Sequence, residues 1–274
     1  YRRGGPETLT YADVPDPEPG PDHVLVRVRA CGLNHMDIYV REGSHGMKAP
    51  LRHVGGLEAV GEVAATGANV TDWEGGTRVL VLAFTFDGTC EFCRSGRDNL
   101  CVSRRIIGVN VDGGFAEYVV VPRTSLLRIP DRLSFVDAAA LQGSFGTAWH
   151  MLVNRARMQP GEWVLVLAAG SGVGSAAVQL AKQSGCTVIA TAGSDEKLQK
   201  ALALGADHVI PHTATPGFDR EVMRITGNRG VDIVFEHSGP ATWKQRIASL
   251  RVGGRLVTCG GSSGRMAETD RIGF

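Results

Sequence analysis

The sequence has no long apolar run and almost no surplus of charge of one sign. A membrane-spanning helix needs about 20 consecutive apolar residues, and no stretch of this chain approaches that length. The 29 basic and 28 acidic side chains give a formal net charge of +1 at pH 7. Because nucleic acids and anionic membranes attract concentrated positive charge, we expect neither as a partner. The expected location is the cytoplasm.

Cysteine is scarce, and half of its six residues lie in one stretch, FDGTCEFCRSGRDNLC. Two residues separate Cys90 from Cys93, seven more precede Cys101, and Asp87 lies three positions before Cys90. Three thiolates and a carboxylate at this spacing are typical of a tetrahedral zinc site, and four protein ligands leave no position for substrate. We therefore predict one structural zinc ion bound by Asp87, Cys90, Cys93 and Cys101. Three free thiols in a surface loop are the alternative.

The first half of the chain consists of short apolar runs broken by glycine and proline. The runs HVLVRVRA, AVGEVAATG, TRVLVLA and FAEYVVVP each predict a β-strand. We expect a mostly antiparallel β domain over residues 1–130, with the zinc lobe in its long connection at 85–110.

The second half of the chain alternates strands with helices. The predicted strands WVLVLA, CTVIAT, DHVI, VDIVFEH and GRLVTCG recur about every 20–25 residues, which indicates βαβ units on a parallel sheet. We predict a doubly wound Rossmann domain over residues 131–264. A turn of small residues joins its first strand to its first helix, where backbone N–H groups and the helix dipole favour a dinucleotide pyrophosphate. The predicted pyrophosphate-binding residues are Ala169, Gly170, Ser171, Gly172, Val173 and Gly174.

The end of the second of these strands indicates which dinucleotide is bound. An acidic residue about 20 positions after the glycine turn would hold the ribose hydroxyls of NAD, but Ala192 stands there. Gly193, Ser194 and Lys197 follow, and a hydroxyl with an ammonium group suits the 2′-phosphate of NADP. We therefore expect NADP(H) rather than NAD. A solvated lysine on a helix surface is the alternative interpretation of Lys197.

Taken together, these motifs resemble the medium-chain dehydrogenase/reductase superfamily, which includes zinc-type alcohol dehydrogenases and quinone oxidoreductases. The resemblance rests on the CxxC lobe, GGFAEYVVVP at 113–122, AAGSGVG, and LALGADHVI at 202–210. It implies an α/β protein with a GroES-like catalytic domain followed by a Rossmann domain. It also implies hydride transfer between a nicotinamide and a small-molecule carbonyl, alcohol or activated alkene, and a homodimer or homotetramer of the full-length chain.

Three positions that hold catalytic zinc in that superfamily carry poor metal ligands here. By resemblance they fall on Asn34, Leu57 and about Gly143, which offer a neutral amide, an isobutyl group and a hydrogen. These groups do not form a Lewis-acid site. The resemblance therefore predicts a chain that keeps the structural zinc and lacks the catalytic one.

The pattern N-x-x-D-x-Y, formed by Asn34, Asp37 and Tyr39, resembles the zinc-free quinone oxidoreductases instead. That resemblance places these residues in the catalytic group, with Asn34 at the developing enolate oxygen, Tyr39 as proton donor and Thr147 at the nicotinamide. From the residues alone, Asn34 is equally well interpreted as a helix N-cap and Tyr39 as a packing aromatic. The leading prediction is an NADP(H)-dependent reductase of quinones, enones or related carbonyl compounds.

Two other functions stay open at this point. One is an alcohol or aldehyde dehydrogenase whose metal is held by unusual ligands among Glu58, His35 and His53. The other is a noncatalytic NADPH-binding protein.

The last residues depart from the pattern of the superfamily. After VTCGGSSG the superfamily has one further strand and helix before its return to the catalytic domain, whereas RMAETDRIGF follows here. Residues 265–274 resemble the C-terminal helix that makes this return. We therefore expect that several dozen residues are missing between about Gly264 and Arg265.

Overall fold

The computed structural model describes residues 2–47, 49–50, 52–212, 217–261, 264 and 266. Contacts divide the chain into two compact units, Tyr1–Gly143 and Ser144–Phe274, a later division than the one at 130 and 131 expected from the sequence. The helix expected at 265–274 lies outside the described residues apart from Met266. Within the described ranges, no helix has both the length and the apolar character needed to span a bilayer.

The first unit is built around an antiparallel sheet. Its strands are β1 (His23–Gly32), β2 (Glu58–Thr66), β3 (Arg78–Val81), β4 (Phe84–Thr85), β5 (Arg105–Ile106), β6 (Tyr118–Pro122) and β7 (Leu126–Arg128). Five strands form the main sheet in the order β6-β1-β2-β3-β7, and β4 pairs with β5 separately. The helices are α1 (His35–Glu42), α2 (Glu91–Arg94) and α3 (Phe135–Ala139), with 3-10 turns at Pro6–Thr8, Asp98–Leu100 and Arg123–Ser125.

Alternate valines of β1 and β6 form the core of this unit. Val24 and Val26 of β1 and Val119 and Val121 of β6 are buried in one apolar cluster. Successive side chains of a strand point to opposite faces, so alternation in the sequence covers one face of the sheet. Burying one such side chain contributes about 1.5–3 kcal/mol.

The second unit contains the parallel sheet predicted from the sequence. Its strands are β8 (Trp163–Val166), β9 (Thr187–Ala192), β10 (His208–Pro211), β11 (Val231–Glu236) and β12 (Leu250–Thr258), in the order β10-β9-β8-β11-β12. All of their pairings are parallel. The helices are α4 (Gln142–Trp149), which begins at the end of the first unit, α5 (Gly172–Gln183), α6 (Asp195–Ala203), α7 (Phe218–Ile225) and α8 (Trp243–Ala248). A π-helical segment, His150–Arg155, follows α4, and a 3-10 turn, Pro240–Thr242, precedes α8.

Both faces of the parallel sheet are covered. Val164 and Val166 pack with residues of α5 in one cluster, whereas Leu165 and Leu167 pack with residues of α7 in another. Continuous apolar strands are expected when helices lie on both faces. The predicted α/β fold class, a GroES-like β domain plus a doubly wound Rossmann sheet, is confirmed.

The close approach of β1 and β2 depends on a glycine. A Cβ added at Gly61 in β2 would overlap the carbonyl oxygen of Arg27 in β1. We expect Gly61→Ala to lower the free energy of unfolding by about 1–3 kcal/mol, because the backbone must shift to relieve the overlap. Urea unfolding of purified variants measures this change. The matched control is Gly75→Ala, since nothing lies within 4 Å of a Cβ there. Equal unfolding midpoints for the two variants would contradict the prediction.

Candidate functional site

The turn after β8 leaves backbone donors without partners at the start of α5. Ser171 caps this 12-residue helix, and its Oγ accepts a hydrogen bond of 3.0 Å from Gly174 N–H. Among the described residues, the N–H groups of Gly170, Gly172 and Val173 have no hydrogen-bond partner. Free N–H groups at a helix N-terminus bind phosphate oxygens.

The small residues of this turn are required by its packing. A Cβ at Gly174 would overlap the Ala168 carbonyl oxygen, and one at Gly172 would lie 2.7 Å from Ser144 Oγ. Ala169, which takes the first position of the motif, is buried in the turn that follows β8. The turn therefore approaches its neighbours as closely as a dinucleotide-binding turn requires, and these residues fit a pyrophosphate.

Lys197 of α6 lies over the same turn. A Cβ at Gly170 would be 2.7 Å from Lys197 Cδ, so the aliphatic part of the Lys197 side chain packs directly against Gly170. Ser194 caps α6 by accepting a hydrogen bond from Lys197 N–H, and Ala192 at the end of β9 is buried. Gly193 connects the two elements. The structure thus brings the predicted NADP-binding residues next to the predicted pyrophosphate turn.

Sequence reasoning missed His237 and Glu236, which adjoin the end of β11. His237 Nε2 lies 3.1 Å from Ser171 Oγ and 3.0 Å from the Leu167 carbonyl oxygen. Burial lowers the pKa of His237, which favours the neutral ring at pH 7. Glu236 is buried, forms an ion pair of 2.8 Å with the buried Arg246, and accepts a hydrogen bond from Gly239 N–H. The only indication of these two residues in the sequence was that the apolar run VDIVFEH ends in two titratable side chains.

In the first unit, Asn34 begins α1. The carboxylate of Asp37 accepts hydrogen bonds from Asn34 N–H at 2.7 Å and Gly56 N–H at 3.3 Å, which fixes the start of the helix. Burial raises the pKa of Asp37, and these two N–H groups oppose that effect. Asn34 Nδ2 is buried and forms no hydrogen bond of normal geometry within the described part of the chain. Asn34 and Asp37 both line a cavity of about 510 Å³.

The carboxyl group of Glu58 contacts two of the three positions that hold catalytic zinc in the superfamily, Asn34 and Gly143. Glu58 is 5% exposed, and its Oε1 accepts a hydrogen bond of 2.5 Å from Gly143 N–H. Burial raises the pKa of Glu58, whereas hydrogen bonds from the Gly143 N–H and from the Asn34 side chain lower it. A Cβ at Gly143 would overlap Glu58 Oε1, and Leu57 is buried in an apolar cluster. Asn34, Leu57 and Gly143 therefore do not fit a metal site.

The other predicted site residues lie in different surroundings. Tyr39 stacks on His45 with ring centroids 3.9 Å apart. His35 is exposed on α1, and His53 Nδ1 lies 3.2 Å from Asp112 Oδ1. Thr147 belongs to α4 in the second unit and is half-buried.

The cysteine lobe brings its four predicted ligands together. One ligand atom from each of Asp87, Cys90, Cys93 and Cys101 lies within 4.8 Å of all the others, and Cys90 Sγ is 3.5 Å from Cys93 Sγ. Zinc–sulfur bonds of about 2.3 Å in a tetrahedron put sulfur atoms about 3.8 Å apart, so this spacing fits zinc. Hydrogen bonds from Cys90 N–H and Thr89 N–H keep the pKa of Asp87 well below its usual range. Backbone hydrogen bonds, the largest from Cys93, lower the pKa of the Cys90 thiol.

Comparisons with known proteins agree with these features. The family model described as the alcohol dehydrogenase GroES-like domain matches residues 20–131, and the one described as zinc-binding dehydrogenase matches 172–272. An NAD-dependent alcohol dehydrogenase of Sulfurisphaera tokodaii is 35% identical over 83% of this chain and 67% of its own length. A quinone oxidoreductase of Sus scrofa is 31% identical over 95% of this chain and 71% of its own length.

Solved structures extend the similarity to the fold. A crystal structure described as an NAD-dependent alcohol dehydrogenase superposes with a TM-score of 0.92 at 46% identity, covering 96% of this chain and 76% of that one. Both domain models, the sequence relatives and the shared fold lead to the same assignment. The chain belongs to the medium-chain dehydrogenase/reductase superfamily of oxidoreductases.

Proposed function

We propose that this protein is an NADP(H)-dependent oxidoreductase that transfers hydride to a quinone, enone or related carbonyl compound without catalytic zinc. The observation that carries the proposal is the buried amide of Asn34, whose Nδ2 forms no hydrogen bond of normal geometry among the described residues although the side chain lies beside Glu58. A buried donor without a partner costs about 1–3 kcal/mol, and a substrate oxygen in the adjoining cavity would satisfy it. The poor metal ligands at Leu57 and Gly143 support hydrogen bonding rather than a metal as the source of carbonyl polarisation.

Each unit has a separate task in this proposal. The turn at 169–174 holds the pyrophosphate, and Ser194 with Lys197 holds the 2′-phosphate. With NADPH held at this turn, the reduced nicotinamide would supply the hydride for the β-carbon of an enone and would be oxidised, and a proton would be added at the α-carbon. Asn34 donates a hydrogen bond to the carbonyl oxygen as it gains negative charge, and Asp37 positions Asn34 through the backbone. Proton delivery by Tyr39 and contact of Thr147 with the nicotinamide belong to the same proposal.

The second candidate is an alcohol dehydrogenase, because several relatives carry that name. It requires a catalytic metal held by ligands such as Glu58, His35 or His53. A dimer or tetramer and a cytoplasmic location are common to both candidates and stay predictions.

Metal content separates the two candidates. We expect one zinc ion per chain by elemental analysis, and we expect Cys93→Ser to lower it well below one, because a hydroxyl replaces a soft thiolate ligand. The control is Cys186→Ser, which changes a cysteine in the core of the second unit. Two zinc ions per chain in the unmodified protein would favour the alcohol dehydrogenase instead.

Cofactor choice tests the role of Lys197. We expect kcat/KM to be higher with NADPH than with NADH, and Lys197→Ala to reduce that preference about 10-fold, because a charge-assisted hydrogen bond contributes about 1.5–3 kcal/mol. The matched control is Lys200→Ala, which removes a lysine of the same helix that pairs with Glu196. An unchanged preference in Lys197→Ala would contradict the assignment.

Turnover tests the role of Asn34. We expect steady oxidation of NADPH in the presence of a simple quinone or enone, and a fall in kcat of about 10²-fold in Asn34→Ala, as when an oxyanion donor is removed. Asn69→Ala is the control, because that amide bonds Asp22 in a distant loop of the same unit. Tight NADPH binding without turnover across a broad panel would indicate a noncatalytic binding protein.

A further inference from the structure

The cavity beside Asn34 has an unusual concentration of positive charge. Four arginines line it although the whole chain has a net charge of only +1. They come from three separate segments and are Arg2, Arg3, Arg41 and Arg52. Among the described lining residues the only carboxylate is that of Asp37, which already accepts two backbone hydrogen bonds. The lining therefore favours a negatively charged ligand.

Two of these guanidinium groups are held by neutral partners. Arg3 Nη2 donates to the Ala49 carbonyl oxygen at 2.9 Å, and Arg41 Nε donates to the Gly4 carbonyl oxygen at 3.1 Å. Carbonyl oxygens orient a guanidinium group without cancelling its charge. Arg41 also lies 3.4 Å from Glu42, whose side chain is 43% exposed, so solvent screens this ion pair. The Arg41 side chain is only 18% exposed, so its charge is oriented and partly shielded from water.

The rest of the lining is apolar. Leu33, Ile38 and Phe115 line the cavity while remaining accessible, Leu33 with 84% of its surface exposed. Apolar walls with a few oriented polar groups are the usual composition of a small-molecule site. Such a site takes an amphiphilic ligand with an apolar portion and an anionic portion.

We infer that the substrate is an α,β-unsaturated carbonyl compound that carries a carboxylate or phosphate group, bound by Arg41 and Arg3. The inference rests on the proposed function, since it names the substrate class of the same site. The carbonyl oxygen lies at Asn34, and the anionic group is held by the arginines of the same cavity. Guanidinium groups bind both kinds of anion through paired hydrogen bonds.

Matched substrates test this inference. The first pair is a 4-oxo-2-enoate and its methyl ester, which differ in one negative charge. The second pair is the crotonyl thioester of coenzyme A and the neutral crotonyl thioester of N-acetylcysteamine. We expect kcat/KM with NADPH to be about 10-fold or more higher for the anionic member of at least one pair, as for a hydrogen bond to a charged group. The carboxylate or the phosphate is identified as the recognised group by the pair that responds and whose response falls in the Arg41→Gln and Arg3→Gln variants.

Variants locate the recognition within the cavity. Arg41→Gln and Arg3→Gln are expected to lower the anionic-to-neutral ratio of kcat/KM about 10-fold, with Arg41→Lys retaining part of it. The control for overall charge is Arg132→Gln, which removes an exposed arginine of the same unit outside the cavity. Circular dichroism checks that each variant folds. If the Arg41→Gln variant does not fold, the more conservative Arg41→Lys variant still tests the role of the guanidinium group.

Calorimetry distinguishes failure of the inference from failure of the proposed function. Binding of 4-oxopentanoate and of its methyl ester is measured without turnover, as is binding of the two saturated butyryl thioesters. Absence of NADPH oxidation with every compound would reject the proposed function, while tighter binding of one anionic member would still support the cavity as an anion site. Equal kcat/KM and equal affinity for both members of each pair would overturn the inference.

Discussion

One hydrogen bond, from Gly143 N–H to the buried carboxylate of Glu58, determines the chemistry open to the first unit. A buried carboxylate is stable only when its charge is met by donors or removed by protonation. The backbone N–H of Gly143 is one such donor to Glu58, and a larger residue at position 143 would displace the carboxylate. A thiolate or second carboxylate at position 143 would also bring like charges together. The hydrogen bond therefore depends on both a carboxyl group at position 58 and a glycine at position 143.

The hydrogen bonds of neighbouring carboxyl groups also determine the surroundings of the Asn34 side chain. The Asp37 carboxylate accepts hydrogen bonds from the backbone of Asn34 and Gly56, which fixes the start of α1, while the Asn34 side chain interacts with the Glu58 carboxyl group. The Asn34 Nδ2 is a buried amide donor that forms no hydrogen bond of normal geometry in the described part of the chain. An unsatisfied buried donor lowers stability, and such groups persist where a ligand supplies the missing acceptor.

The sequence predicted the features that depend on local pattern. Alternating valines predicted the antiparallel strands, and continuous apolar runs separated by helices predicted the parallel sheet, because burial imposes those periods. The cysteine spacing predicted a cluster because its four members lie on one short connection. The bond between Glu58 and Gly143 and the proximity of His237 to Ser171 were not predictable, since they join residues far apart in the chain. The arginines of the cavity likewise converge from separate segments, so no window of sequence contains the cluster.

Cofactor preference illustrates why whole-chain similarity does not determine the details of a site. Two relatives named as NAD-dependent are 35% and 46% identical to this chain over the aligned residues, averaged over both units. The ribose contact, by contrast, depends on a few side chains at the end of β9 and the start of α6. In this chain Ala192 stands where an acidic residue would bind the ribose hydroxyls of NAD. The aliphatic part of the Lys197 side chain packs against Gly170 in the pyrophosphate turn. Since a single charge-assisted hydrogen bond changes affinity about 10-fold or more, the proposed preference for a 2′-phosphate depends on these few side chains and not on the overall identity.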